Sequence, residues 1–325
     1  MTKAIYCDCG LICRGDSDEE LLRAAEEHLR REHPALAGRV RGDDLLAMAV
    51  EVAPDPVEDD ASPSAGVPLA VGRDGPIASL VMNRPASRNA LSLDLMRTLR
   101  RELDAIGADP SVRAVVIGSA GPVFCSGHDL RELHGADEDA ARTIFQADTA
   151  LMRAIRELPQ PVVARVQGPA TAAGCHLVAA CDLAVASPQA TFAVPGPVMG
   201  LVGATAMVEV ARLIGRRRAG QMLLSGAPVS ASTALDWGLV NAVVPAQELA
   251  TAARAIASGA ASGAPGATAL AKRGLHGSLE GPIDDAYERA VELTVRTITG
   301  DEAQEGIGAF LARRRPTWRG GGTGP

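Results

Sequence analysis

Residues 168–182 read "GPATAAGCHLVAACD", and the run before them, "PQPVVARVQ" at 159–167, is rich in β-branched residues. The pattern predicts a strand over 161–167 and a helix starting near Ala173. Small residues crowd the junction, and one ionisable ring, His176, follows a turn later. The first turn of a helix carries amide N–H groups with no partner inside the helix. The helix macrodipole adds partial positive charge there. Ala172, Ala173 and Gly174 leave that backbone open to a ligand oxygen. Small residues equally serve tight helix–strand packing, and on this stretch alone both readings stand.

A second corner of the same kind lies upstream. Residues 121–130, "GPVFCSGHDL", end the apolar run "VRAVVIGSA" at 112–120. Two N–H donors from separate turns, aimed at one oxygen, make an oxyanion hole, in which one donor is worth roughly 3 kcal/mol. Around the two corners the pattern alternates. A strand is expected over 77–83. A helix is expected over 92–106, with Leu95, Leu99, Leu103 and Ile106 on one stripe and Gly107 as its stop. A helix over about 138–158 and a strand over 183–187 continue the series. Residues 205–300 read as mostly helical, with "GLVNAVVP" as a short extended insert. Such alternation predicts an α/β body.

Composition narrows the function classes. The 325 residues are 47% hydrophobic but only 2% aromatic, so the core must be aliphatic and alanine-rich. A net charge of −7 argues against nucleic-acid partners. No apolar run approaches the roughly 20 residues of a membrane helix, and "MTKAIYCDCG" is no secretory signal. Cys125, Cys175 and Cys181 lie in apolar surroundings, as buried thiols do, which suits a reducing cytoplasm. Four zones are expected: a small Cys/His domain over 1–52, a Pro/Asp/Ser linker over 53–68, the main body over 69–318 and a disordered tail over 319–325.

In the first zone Ser17 and Glu20 form a capping box, Leu21, Ala25 and Leu29 follow at helical spacing, and Pro34 stops the helix. A second amphipathic piece, "GDDLLAMAVEV", closes the unit. Cys9 and Cys13, then His28 and His33, offer two thiolates and two imidazoles for a tetrahedral zinc, with Cys7 able to replace Cys9. A metal would add stability that so small a unit lacks. The alternative is free thiols beside a solvated helix. The zone also resembles a small bacterial domain of unknown function.

The motifs "NRPASRNALS" (83–92), "FCSGHDL" (124–130), "VQGPATAAGCHLVAACDLAVAS" (166–187) and "ATFAVPGPVMGL" (190–201) occur in order. With "EGIGAFLARRRPTW" (305–318), they resemble the signatures of the enoyl-CoA hydratase/isomerase superfamily, the crotonases. The resemblance implies a spiral of ββα units with a C-terminal helical trimerisation region, hence a homotrimer or hexamer. It implies an acyl-CoA substrate and no catalytic cofactor. The thioester carbonyl would sit between the His128 and Ala173 N–H groups. The CoA strip would comprise Ser87, Arg88, Ala90, Gly127, Asp129, Leu130 and Arg131.

True hydratases of this superfamily carry two glutamates, where this chain has His176 and Gly196. Hydrating a conjugated double bond needs two acid–base groups in fixed geometry. Gly196 supplies none, and the His176 imidazole supplies one. One-base reactions remain: α-proton abstraction, double-bond migration, or activation of water for thioester hydrolysis. His176 also reads as an ordinary buried helix histidine. Asp129 is expected to hold its loop, and Glu209 is a candidate stand-in carboxylate. The rival to an enzyme is a non-catalytic acyl-CoA-binding or scaffold protein.

Overall fold

Ser17 opens the first helix as its sequence signature predicts, its hydroxyl accepting from the Glu20 N–H at 3.2 Å. The computed structural model describes residues 3–6, 12–15, 17–34, 40–47, 50–51, 67–279 and 281–318. The chain divides into two units, residues 1–58 and 59–325. In the first, strands β1 (Lys3–Tyr6) and β2 (Ile12–Gly15) pair antiparallel. Helix α1 (Asp18–Glu32) ends at His33, directly before Pro34. It packs Leu21 and Ala25 against Ile5, Cys13 and Leu45, the last from α2 (Gly42–Ala47). Strand β3 (Val50–Glu51) pairs with β1, so the end of "GDDLLAMAVEV" is extended rather than helical. Most of the expected linker and all of the expected tail lie outside the described residues.

The second unit begins with β4 (Leu69–Asp74) and β5 (Ile77–Met82), followed by α3 (Leu93–Gly107), β6 (Ala114–Ser119), the short α4 (Leu130–Leu133) and α5 (Glu138–Glu157). Next come β7 (Val162–Val166), β8 (Ala170–Thr171), α6 (Ala173–Ala180), β9 (Leu183–Ala186) and β10 (Thr191–Ala193). Helices α7 (Ala204–Ile214) and α8 (Arg216–Ser225), strand β11 (Val229–Ser230), α9 (Ala231–Trp237) and β12 (Ala242–Val243) follow. Helices α10 (Leu249–Ala261), α11 (Pro265–Ser278), α12 (Ile283–Ile298) and α13 (Asp301–Leu311) complete it.

The main sheet has the order β12-β9-β7-β6-β5-β4 and is parallel except for the β4–β5 pair. Its central strands are Val/Ile/Leu/Ala runs because helices cover both faces. On one face, α3 buries Leu95, Met96, Leu99, Leu103 and Ile106, joined by Ile144, Leu151, Met152 and Ile155 of α5. On the other, α10 lays Leu249, Ala253 and Ala257 onto Ile77, Ala114, Val163 and Val185. A smaller sheet, β11-β10-β8, starts immediately before α6 and so sets where that helix begins.

A buried charge pair ties α11 to this core. Lys272 donates to the Ile155 and Gln160 carbonyls at 2.8 and 3.1 Å and sits 2.6 Å from the Asp182 carboxylate. The Ile155 carbonyl belongs to the last turn of α5, where helix acceptors lack partners. Removing one partner of such a pair costs roughly 3–5 kcal/mol, because the other is left buried and uncompensated. Helix α12 is different. It buries no residue, and Ile283, Tyr287, Val291 and Val295 form an exposed apolar stripe at four-residue spacing.

Candidate active site

The two small-residue corners are packed against each other. Leu91 accepts from the Asp129 N–H at 3.0 Å and donates its own N–H to Gly127 O at 2.8 Å. This parallel bridge pairs Leu91 with His128, so the N–H of His128 is turned away from it. Gly127 has φ +100°, a backbone that glycine adopts without strain. A methyl group there would lie 3.0 Å from Ala172 Cβ and 3.6 Å from the Ala173 nitrogen.

The second corner is fastened to the first by Thr171 N–H donating to Cys125 O at 2.9 Å. Ala172 N–H donates to Ala193 O at 2.8 Å, and Ala172 takes φ 52°, ψ −116°. That conformation costs an L residue on the order of 1–3 kcal/mol and persists only when its surroundings enforce it. Ala173 is then the first residue of α6. Among the described residues, neither the His128 nor the Ala173 N–H finds an acceptor. Buried backbone N–H groups are rarely left so.

Both histidine side chains turn to one carboxylate. Asp148 of α5 is fully buried, with His128 Nε2 3.4 Å from Oδ1 and His176 Nδ1 3.3 Å from Oδ2. Neither contact has the alignment of a good hydrogen bond. Burial pushes the Asp148 carboxyl up, but the two imidazoles outweigh it and hold it at about 2. The His128 ring stands edge-on to Phe145, with centroids 5.0 Å apart. His176 is 4% exposed and lines a cavity of about 790 Å³ with Met152, Arg156, Glu209, Lys272 and His276. A larger groove, of about 1000 Å³, runs between α3 and α5, and neither it nor the cavity lined by His176 includes a residue of either corner.

Asp148 was not anticipated from the sequence. Its signal was a carboxylate on the apolar stripe of α5, in register with Ile144, Leu151, Met152 and Ile155. Glu209 does reach the same cavity as His176, where it pairs with Arg156 at 3.4 Å. His134 lies exposed at the end of α4, and His276 contacts Asp182 at 3.4 Å.

Gly196 is buried, and its position admits no side chain. A Cβ there would lie 2.9 Å from both Leu201 O and Gly203 N, because residues 201–203 fold back over it. Position 196 therefore offers no carboxylate, and the space a side chain would need there is occupied by backbone.

The residues of the expected CoA strip come together at the first corner. The Ser126 N–H donates to Arg88 O at 3.1 Å, joining the 87–90 turn to residues 126–129. Asn89, fully buried, pins that turn by donating to Ala120 O and Val123 O, both at 2.8 Å. Ser87 donates to Arg84 O, Ala90 O accepts from Arg84, and the Arg88 side chain is exposed. The Asp129 side chain is committed elsewhere. It caps α4, and Arg131 grips it at 2.7 and 2.9 Å. The hydrogen bonds from Arg131 hold its carboxyl at about 2 despite some burial, and its contacts with the α4 N-terminus and Arg131 tie the loop. Leu130 and Arg131 are exposed beside it. Burial pushes the Cys125 and Cys175 thiols up to about 12 and raises that of Cys181, so these are inert core groups.

In the N-terminal unit His28 and His33 lie together, ring centroids 5.1 Å apart. Cys13 is buried in the unit's core with Sγ 3.6 Å from Ala24 O, and Cys7 and Cys9 lie outside the described residues. Among the described residues, no three potential ligands gather into a metal site.

The profile of the enoyl-CoA hydratase/isomerase family matches residues 72–321. A second profile, of a protein of unknown function (DUF1059), matches residues 3–37. The chain is similar to the mitochondrial enoyl-CoA hydratase domain-containing protein 3 of Danio rerio, with 40% identity over 76% of this chain and 86% of the relative. Among solved structures, an enoyl-CoA hydratase from Mycobacterium smegmatis is 40% identical, with a TM-score of 0.75 over 78% of this chain and 99% of that one. The human enoyl-CoA hydratase domain-containing protein 3 is 38% identical, with a TM-score of 0.75 over 78% and 100%. From the α/β body, the ordered motifs and these likenesses, the chain belongs to the enoyl-CoA hydratase/isomerase family and has the crotonase fold.

Proposed function

We propose that the protein binds acyl-CoA thioesters with the carbonyl oxygen between the His128 and Ala173 N–H groups and transfers a proton at the α carbon with a single base, His176. One observation carries this reading: two N–H groups on abutting corners find no acceptor among the described residues, in a chain of this family. In the step, His176 removes the α proton and the electron pair moves into the carbonyl, giving an enolate that the two N–H groups stabilise. The imidazolium then returns a proton to carbon, and in heavy water a deuteron. The closed position at Gly196 leaves no second carboxylate, so hydration of a conjugated double bond is slow. The CoA moiety runs past Ser87, Arg88 and Ala90 and past Gly127 to Arg131. No resident cofactor takes part.

The test is incubation with a saturated acyl-CoA in heavy water, read by mass spectrometry. Deuterium at the α carbon supports the enzyme. Tight binding without exchange, hydration or hydrolysis supports the rival, a non-catalytic acyl-CoA-binding protein.

Three further proposals complete the reading. The exposed stripe on α12 supports assembly into a homotrimer or hexamer, because contiguous apolar surface of this kind is rare on monomers. Light scattering should give three or six chain masses of 33.5 kDa, and a single chain mass at micromolar protein would remove the proposal. The His28–His33 pair supports zinc in the N-terminal unit. Metal analysis of protein purified without chelator should find close to one zinc per chain, and its absence would end that reading. A cytoplasmic location is in keeping with the buried thiols and is tested by cell fractionation. Among the described residues, no helix is long and apolar enough to cross a membrane.

A further inference from the structure

Asp148 has one purpose visible from its surroundings. It is a fully buried carboxylate, and its only close polar partners among the described residues are the two imidazoles. An ionised carboxylate accepts hydrogen bonds and donates none. Burying one without compensation costs several kcal/mol. Compensation here comes only from nitrogens that carry hydrogen. Each oxygen faces a different ring, Oδ1 toward His128 Nε2 and Oδ2 toward His176 Nδ1.

The consequence for His176 is specific. With hydrogen on Nδ1, the neutral ring keeps its lone pair on Nε2. The Nδ1 edge is sealed against Asp148, which leaves Nε2 as the ring nitrogen not held against a carboxylate. His176 also follows Ala173 by three residues on α6, one turn from the open N–H of the second corner. Three elements thus meet: the first corner through His128, α6 through His176, and α5 through Asp148.

We propose that Asp148 is a positioning residue that fixes hydrogen on His176 Nδ1 and on His128 Nε2, leaving the lone pair of His176 Nε2 as the proton acceptor. This rests on the reading of His176 as the base, but its test separates the two. Asp148 touches no reacting atom and acts through the imidazoles alone.

The first measurement is side-chain ¹⁵N NMR of protein labelled at its six histidines, with the His176 resonances assigned from a His176→Gln variant. Wild-type protein at neutral pH should carry the His176 proton on Nδ1. A proton found on Nε2 would overturn the proposal without any variant being made. The second measurement uses Asp148→Leu, which removes both acceptors at similar size. The His176 proton should move to Nε2 or distribute over both nitrogens. The α-exchange rate at saturating acyl-CoA should fall on the order of 10²–10⁴-fold, the usual worth of a positioned base, with KM changed little. A folded Asp148→Leu protein with the wild-type tautomer and wild-type exchange rate would contradict the proposal. If wild-type protein shows no exchange at all, the proposed function fails, while the tautomer still decides the role of Asp148.

Discussion

His176→Ala should abolish α-deuteration of a bound acyl-CoA, lowering the exchange rate on the order of 10²–10⁴-fold. Removing the ring takes away the group that accepts the α proton and touches neither N–H donor, since both belong to the backbone. Acyl-CoA affinity should therefore stay within a few-fold of wild type, and the loss should appear in the rate at saturation rather than in KM. The variant leaves Asp148 facing His128 alone, so a circular dichroism melt must accompany the kinetics. Exchange surviving at a rate close to wild type in folded His176→Ala would remove His176 as the base. It would direct attention to Glu209, the other ionisable candidate in the same cavity.

Gly174→Ala should damage stability and chemistry together. Its added methyl would overlap the Cys125 carbonyl oxygen and lie 2.8 Å from Cys125 Cβ. The nearest obstacle is backbone, so the corners themselves must move apart. Overpacking of this kind costs typically about 1–3 kcal/mol. Displacing one oxyanion donor costs a further factor on the order of 10²–10³ in rate. The control is Gly220→Ala on α8, where nothing lies within 4 Å of the added methyl. A helix-interior glycine replaced by alanine gains up to about 1 kcal/mol, so the control should melt no lower than wild type. Gly174→Ala with wild-type melting and wild-type exchange would mean that the two corners are not held in mutual contact.

The difference between these glycines illustrates what sequence can and cannot say. The alternation of β5, α3, β6, α5 and β7 was legible because its apolar residues recur at the periods of strand and helix. Ser17 marks a helix start by its capping chemistry and caps as read, while the cap that Ser92 makes on α3 was not read from the sequence. Strands β8 and β10 were not legible, since two or three residues carry no period, yet β8 sets where α6 begins. The β1–β2 pair escaped for the same reason, four residues each.

At the site, both corners were visible as runs of small residues after β-branched strands. Their contact was not, because it depends on long-range pairing of Leu91 with His128 and of Cys125 with Ala170. That glutamate is missing at position 196 can be read directly from the sequence. That its space is filled depends on the return of Leu201–Gly203 and cannot be read locally. Asp148 left one trace, a charge in an apolar stripe, and only the fold names its two partners.

The most direct test of the central claim is a crystal structure of the protein with an acyl-CoA bound. The thioester oxygen should lie within about 2.7–3.1 Å of both the His128 and Ala173 nitrogens, with the α carbon facing His176 Nε2. An acyl-CoA whose carbonyl oxygen lies beyond reach of either nitrogen would contradict the account.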